Sequence, residues 1–137
     1  NLISSAAVCD FASRSSTSSD ISAWKKTGVK YVSNGRTKQQ MPHFYQFHEN
    51  FIQNKDRLNI KISAKKIAIP HLIIHGDNDT SISVTEGEKL HTWNPKSVFK
   101  IIENANHVFN VSHPWAENRG SEAFEKTIKS CIDFLKQ

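Results

Sequence analysis

Two short segments hold the side chains best suited to chemistry: Ile69-Pro-His-Leu-Ile-Ile-His-Gly-Asp-Asn-Asp-Thr80 and Asn104-Ala-Asn-His-Val-Phe109. The first reads as a buried strand ending in a glycine turn that carries carboxylates. The second reads as a loop histidine following another strand. A carboxylate that orients a histidine leaves the far ring nitrogen free to take a proton from a nucleophile. Asp79 and His107 thus supply two members of a nucleophile–histidine–acid triad. The third has no usual carrier here. The glycines are Gly28, Gly35, Gly76, Gly87 and Gly120, and no two lie four apart, so no Gly-x-Ser-x-Gly elbow can present a serine.

The elements around these residues must deliver both to one place. Ile67 to Ile74 is an Ile-rich, nearly continuous apolar run, the pattern of a parallel strand covered on both faces. Ser83-Val-Thr-Glu86 has capping-box spacing and opens a helix from about Val84 to His91 or Trp93, which Asn94-Pro95 breaks. Val98–Ile102 is a second strand. Ser121 or Glu122 opens a last helix with Phe124, Ile128, Cys131, Ile132 and Leu135 on one face. Leu2–Cys9 reads as an earlier buried strand. Strand–helix–strand–helix order with short links implies an α/β fold with parallel strands and right-handed crossovers. In such sheets the working loops lie beyond the carboxyl ends of the strands. Asp10, Asp77, Asp79 and His107 each follow a strand, so they gather along one sheet edge.

Composition is that of an ordinary globular chain: 137 residues, 37% hydrophobic, 23% charged. No apolar run approaches a membrane span, and the start lacks the pattern of a signal peptide. Cys9 and Cys131 are too few for a disulfide framework. The expectation is a cytoplasmic protein with reduced thiols and no membrane partner. The chain opens on Asn1-Leu2-Ile3 with no initiator Met, which points to a truncated or processed start. The net charge of +5 is uneven. From Asp20 to Lys66 ten basic residues stand against three acidic ones, a surplus of +7, and the remainder sums to −2. These basic residues are scattered, which reads as a solvated surface rather than a nucleic-acid site.

The basic stretch is a separate compositional unit. Ser13–Ser19 reads as a loop, Asp20 or Ser22 caps a short helix through Trp24 and Lys26, and Asn34-Gly35 marks a turn. Phe44, Phe47, His48 and Phe51 recur at helical spacing, which predicts an amphipathic helix over Pro42–Gln53. Its aromatic stripe reads first as core. Met41, Phe44, Tyr45 and Phe47 line a substrate pocket if this unit sits over a site, and His113 and Trp115 then flank its entrance.

Rival assignments are weaker. Asp77 follows Gly76 directly and is expected to serve the amides of its own turn. Asp10, after the preceding strand, is a second candidate acid. His75 is expected to pack at the strand end. Cys9 has neither a sharp turn nor a pair of amides for an oxyanion, so it makes a poor nucleophile. Asp77, Asp79, Ser81 and Glu88 match positions one, three, five and twelve of a calcium loop, but position six is Ile82 instead of Gly. Neither metal nor cofactor is expected.

At His75-Gly76-x-x-Asp79, at Asn106-His107-x-Phe109 and in the final helix, the chain resembles the C-terminal part of an α/β-hydrolase, similar to bacterial esterases and prolyl-oligopeptidase-like enzymes. The likeness covers nearly the whole chain, strongly from Ile67 onward. In that family the acid follows the seventh strand, the histidine follows the eighth, and a helical cap is often inserted after the sixth. The resemblance implies a partial fold of about three parallel strands with flanking helices. Residues 1–19 and 62–137 form its core, and 20–61 a small helical cap. It implies Asp79 as acid, His107 as base, and an ester, amide or peptide substrate attacked by a serine in a missing N-terminal half. Without that half, the open sheet edge implies self-association. A binding or regulatory module with a basic cap is the alternative.

Overall fold

The computed structural model of the chain describes residues 1–11, 18–35, 37–112 and 114–137. It forms two units: Asn1–Asp10 with Ile60–Gln137, and Phe11–Asn59.

The first unit is a three-stranded parallel sheet in the order β1 (Leu2–Ser5), β4 (His71–Gly76), β5 (Val98–Ile102). The central strand is buried along its whole length. Alternation along it builds two cores. Leu72 and Ile74 pack with Ile102, Ala105 and Phe109 against Ala123 and Phe134 of α5 (Glu122–Leu135). Ile73 packs with Cys9, Ala64 of α3 (Ile60–Lys65) and Leu90 of α4 (Val84–Trp93). Burying each such aliphatic side chain contributes about 1.5–3 kcal/mol. Helices on both faces of a parallel sheet make this an α/β fold, as the order of elements predicted.

Several boundaries differ from the sequence reading, each for a local reason. β1 stops at Ser5, well short of Cys9, because Ala6 takes a left-handed φ of 45° while its amide still donates to the Ile74 carbonyl. β4 begins at His71, after Pro70, and Ile69 is left exposed before it. The helix α3 was not anticipated. At Ser83 the hydroxyl accepts from the Thr85 amide, while Glu86 accepts from the Cys9 amide at 2.9 Å and so ties the chain after β1 to α4. Asn94 ends α4 as expected.

The last helix starts at Ser121, whose hydroxyl accepts from the Phe124 amide. Most of the apolar stripe read from the sequence points outward, while Cys131 packs half-buried against the core. Phe124, Ile128, Ile132 and Leu135 are exposed, and the helix buries Ala123, Thr127, Ser130 and Phe134 instead. Thr127 and Ser130 face inward because their hydroxyls donate to carbonyls one turn back, at Ala123 and Lys126.

The second unit comprises α1 (Ser18–Thr27), an antiparallel hairpin of β2 (Val29–Ser33) and β3 (Gln40–Phe44), and α2 (Gln46–Gln53). The expected Ser13–Ser19 loop lies outside the described residues as far as residue 17. Ser18 and Ser19 already belong to α1. The helix predicted over Pro42–Gln53 is a correction. Pro42 sits in β3 opposite Tyr31, and the helix begins only after Tyr45, which has φ −60° and ψ −27°. A two-stranded ribbon consists of edges, where a residue lacking an amide hydrogen is tolerated. Asn34 and Gly35 lie in the connection, and the Asn34 side chain accepts from the Thr37 amide. Trp24 anchors the unit: its indole donates to the His43 carbonyl and its ring meets Tyr45 edge-on at 5.7 Å.

Gly76 marks the tightest approach in the first unit. A Cβ built on it would stand 2.2 Å from the Ala105 carbonyl oxygen. Gly76→Ala is therefore expected to destabilise the chain by about 1–3 kcal/mol or more, since backbone must move. Gly35→Ala meets open space and should stay within about 0.5 kcal/mol. Urea unfolding of both variants checks this, and equal small effects would contradict the close approach.

Candidate active site

Parallel pairing of β4 and β5 sets the loops after them side by side, with Gly76 opposite Ile102. Backbone bonds stitch the two loops together. The Asp77 amide donates to the Ile102 carbonyl at 3.3 Å, and the Asn78 amide to the Ala105 carbonyl at 3.0 Å. This places Asp79 beside His107. Asp79 Oδ2 accepts from His107 Nδ1 at 2.8 Å.

The two partners differ in environment. The Asp79 side chain is 0% exposed and that of His107 is 42% exposed. Asp79 Oδ1 accepts from the Ser81 amide at 2.9 Å and the Ile82 amide at 2.8 Å. Burial alone pushes this carboxyl upward. The Ile82 amide, the His107 ring and the Ser81 amide outweigh that effect, so the net displacement is below the ordinary carboxylate range. A buried carboxylate with amides on one oxygen and an imidazole on the other is held as an anion. It fixes a proton on His107 Nδ1 and leaves Nε2 without a hydrogen-bond partner among the described residues. This imidazole can accept a proton at Nε2 while the carboxylate stabilises the resulting cation.

The histidine loop is built by asparagines. Asn106 Oδ1 accepts from the amides of Val108 and Asn110, at 3.0 and 2.8 Å. Asn110 returns the contact through Oδ1 to the Asn106 amide and donates to the Asn104 carbonyl. Asn104, Phe109 and Asn110 all take left-handed φ values, of 56°, 52° and 62°. Asparagine adopts that region readily, whereas a buried Phe109 does so under strain. The Ser121 hydroxyl donates to the Phe109 carbonyl and ties this strained point to the start of α5. Sequence reasoning passed over Asn104, Asn106 and Asn110 as supports. Their cluster around a histidine was the available signal.

The other candidates fall as follows. Asp10 follows β1 and Asp77 follows β4, but the carboxylate bonded to His107 is that of Asp79. Of the calcium-like spacing, Asp79 is committed to two amides and a histidine, and Ser83 caps α4. Cys9 is buried, and burial first, then the nearby Glu86 carboxylate, push its thiol upward, which disfavours the nucleophilic thiolate. Met41, Phe44, Tyr45 and Phe47 belong to the second unit. Met41 and Phe44 lie on β3, Tyr45 precedes α2, and Phe47 lies on α2 with its ring edge-on to Phe11 at 5.7 Å. Trp115 is in the first unit, where its indole donates to the Arg119 carbonyl of the same loop. His113 lies outside the described residues. No helix among the described residues is long and apolar enough to cross a membrane.

No family model matches the chain by sequence, and no curated protein matches it. Solved structures do match its fold. One is the esterase domain of a Rhodothermus marinus protein, with a TM-score of 0.54 and 14% sequence identity. The alignment covers 96% of this chain and 50% of that one, so the chain spans about half the length of this neighbour. At that identity the likeness establishes the fold.

The lowered Asp79 carboxyl links the site to stability. A group lowered on folding adds stability that is fully present above its unfolded value, ~3.9, and lost as pH falls through the folded value. Asp79→Asn is therefore expected to cost about 1.5–3 kcal/mol at pH ~6. The penalty should shrink steadily as pH is lowered below about 4. Urea unfolding at both pH values measures this, and a pH-independent penalty would contradict an ionised Asp79.

Proposed function

We propose that this chain is the C-terminal part of an α/β-hydrolase-type serine hydrolase acting on ester or amide bonds, with Asp79 as the acid and His107 as the base. The observation that carries the reading is the 2.8 Å bond from His107 Nδ1 to the buried Asp79 carboxylate, with the rest of the imidazole half-exposed. The serine is assigned to a preceding segment of a longer protein. Three observations support that assignment: no glycine pair here permits an elbow, β1 lies at the edge of its sheet, and the chain spans half of an esterase domain of the same fold. The preceding segment would pair with β1 and cover the outward apolar face of α5. Exposed edges and apolar patches of this kind otherwise favour association.

In this mechanism His107 Nε2 takes the proton of the serine hydroxyl as its oxygen attacks the acyl carbon. The imidazolium, steadied by Asp79, returns the proton to the leaving alkoxide or amine. A water then repeats the sequence on the acyl-enzyme with His107 again as base. In this reading residues 20–61, which overlap the second unit, are the cap insertion. Met41, Phe44, Tyr45 and Phe47 from the cap, and separately His113 and Trp115, are the residues proposed to contact the acyl or alcohol portion of the substrate. The reading calls for no metal and no cofactor.

The longer protein should hydrolyse p-nitrophenyl esters. His107→Ala should lower kcat by about 10³-fold or more, and Asp79→Asn by about 10⁴-fold through the wrong tautomer. The 137-residue chain alone should show no turnover above background. Full activity in His107→Ala would refute the assignment, and histidine-dependent turnover by the short chain would move the nucleophile into it.

A further inference from the structure

We propose that His75 is a positioning residue for the acid–histidine pair: buried under the β4 loop, it anchors the Ile82 carbonyl and flanks Asp79 Oδ2, and so fixes the carboxylate toward His107. This deepens the hydrolase reading and rests on it for its consequence in turnover, but its geometry is independent of activity.

His75 is the last side chain of β4 before Gly76 and is 0% exposed. Its Nε2 is 2.8 Å from the Ile82 carbonyl oxygen. A carbonyl only accepts, so Nε2 carries the hydrogen. The same nitrogen lies 3.3 Å from Asp79 Oδ2, on the flank of that bond. The positive end of the N–H dipole there attracts the carboxylate oxygen that His107 Nδ1 also contacts. Ile82 is the residue whose amide donates to Asp79 Oδ1 at 2.8 Å. His75 therefore holds, through one nitrogen, the residue that binds one carboxylate oxygen and lies beside the other oxygen itself.

Packing alone does not account for an imidazole here. Its Nδ1 is buried without a hydrogen-bond partner among the described residues, a deficit that costs about 1–3 kcal/mol. An aliphatic side chain would fill the space without that loss. The neighbouring helix also yields to this ring. Gly87 lies inside α4, where glycine costs roughly 0.5–1 kcal/mol relative to alanine. A Cβ on it would come within 3.0 Å of His75 Nδ1 and 2.9 Å of the Phe99 ring. The helix carries a glycine where the imidazole and Phe99 are seated.

The test is NMR on the full 137-residue chain. In the unaltered chain the ¹⁵N shifts of His75 at neutral pH should report the Nε2–H tautomer. The Nδ1–H tautomer would overturn the proposal whether or not any variant folds. His75→Leu fills the space without a donor. It should broaden away the low-field His107 Nδ1–H resonance, as a misplaced carboxylate no longer holds that proton. His75→Gln, whose amide can reach the Ile82 carbonyl, should restore that resonance. A folded His75→Leu chain with the resonance of the unaltered chain would reduce His75 to packing. So would a folded His75→Gln chain that does not restore it. Failure of the hydrolase reading shows separately, as activity of the longer protein that does not depend on His107.

Discussion

A carboxylate with no exposed side-chain surface must be given partners or it does not stay charged. That constraint at Asp79 organises the first unit. Its four neighbours come from two loops and one strand: the Ser81 and Ile82 amides, His107, and His75 below. They converge only if the loops after β4 and β5 lie against each other. Parallel pairing brings the loops to the same end of the sheet, and Gly76 lets Ala105 close the remaining distance. Loss of either feature would leave a buried charge without its full set of donors.

The pair is asymmetric in a way that suits proton transfer. The acid is sealed and held by fixed backbone dipoles, and the histidine is half-exposed on a loop of asparagine bonds. Low dielectric around Asp79 strengthens its hold on Nδ1. Exposure of the ring leaves its other nitrogen within reach of a nucleophile from elsewhere. The strained Phe109, buried and tied to Ser121, anchors the loop so that this exposure does not become freedom.

Much of this was legible in the residues. An Ile-rich run before Gly76 can be satisfied only by burial on both faces, and a serine before a periodic segment marked α4 and α5 alike. The placement of Asp79 and His107 after adjacent strands followed from topology. Other features were hidden for physical reasons. Phe44, Phe47 and Phe51 mimic a helical stripe, but Pro42 belongs to a ribbon whose strands have only edges, so helical spacing misled across the junction at Tyr45. The apolar residues of α5 were read correctly as sharing a face, yet most of that face is exposed. Hydroxyls that bond back to their own helix let Thr127 and Ser130 turn inward, and nothing in a hydrophobic pattern records that choice. Left-handed backbone at Ala6 and Phe109 is set by tertiary contacts, which residue types alone do not encode.

The proposed role of His107 is that of base for a serine outside these 137 residues. Covalent labelling of the longer protein with a fluorophosphonate, followed by peptide mass spectrometry, addresses that claim most directly. The predicted result is one phosphonylated serine N-terminal to Asn1, with labelling lost in His107→Ala. Labelling that persists unchanged without His107, or that falls on no serine, would contradict it.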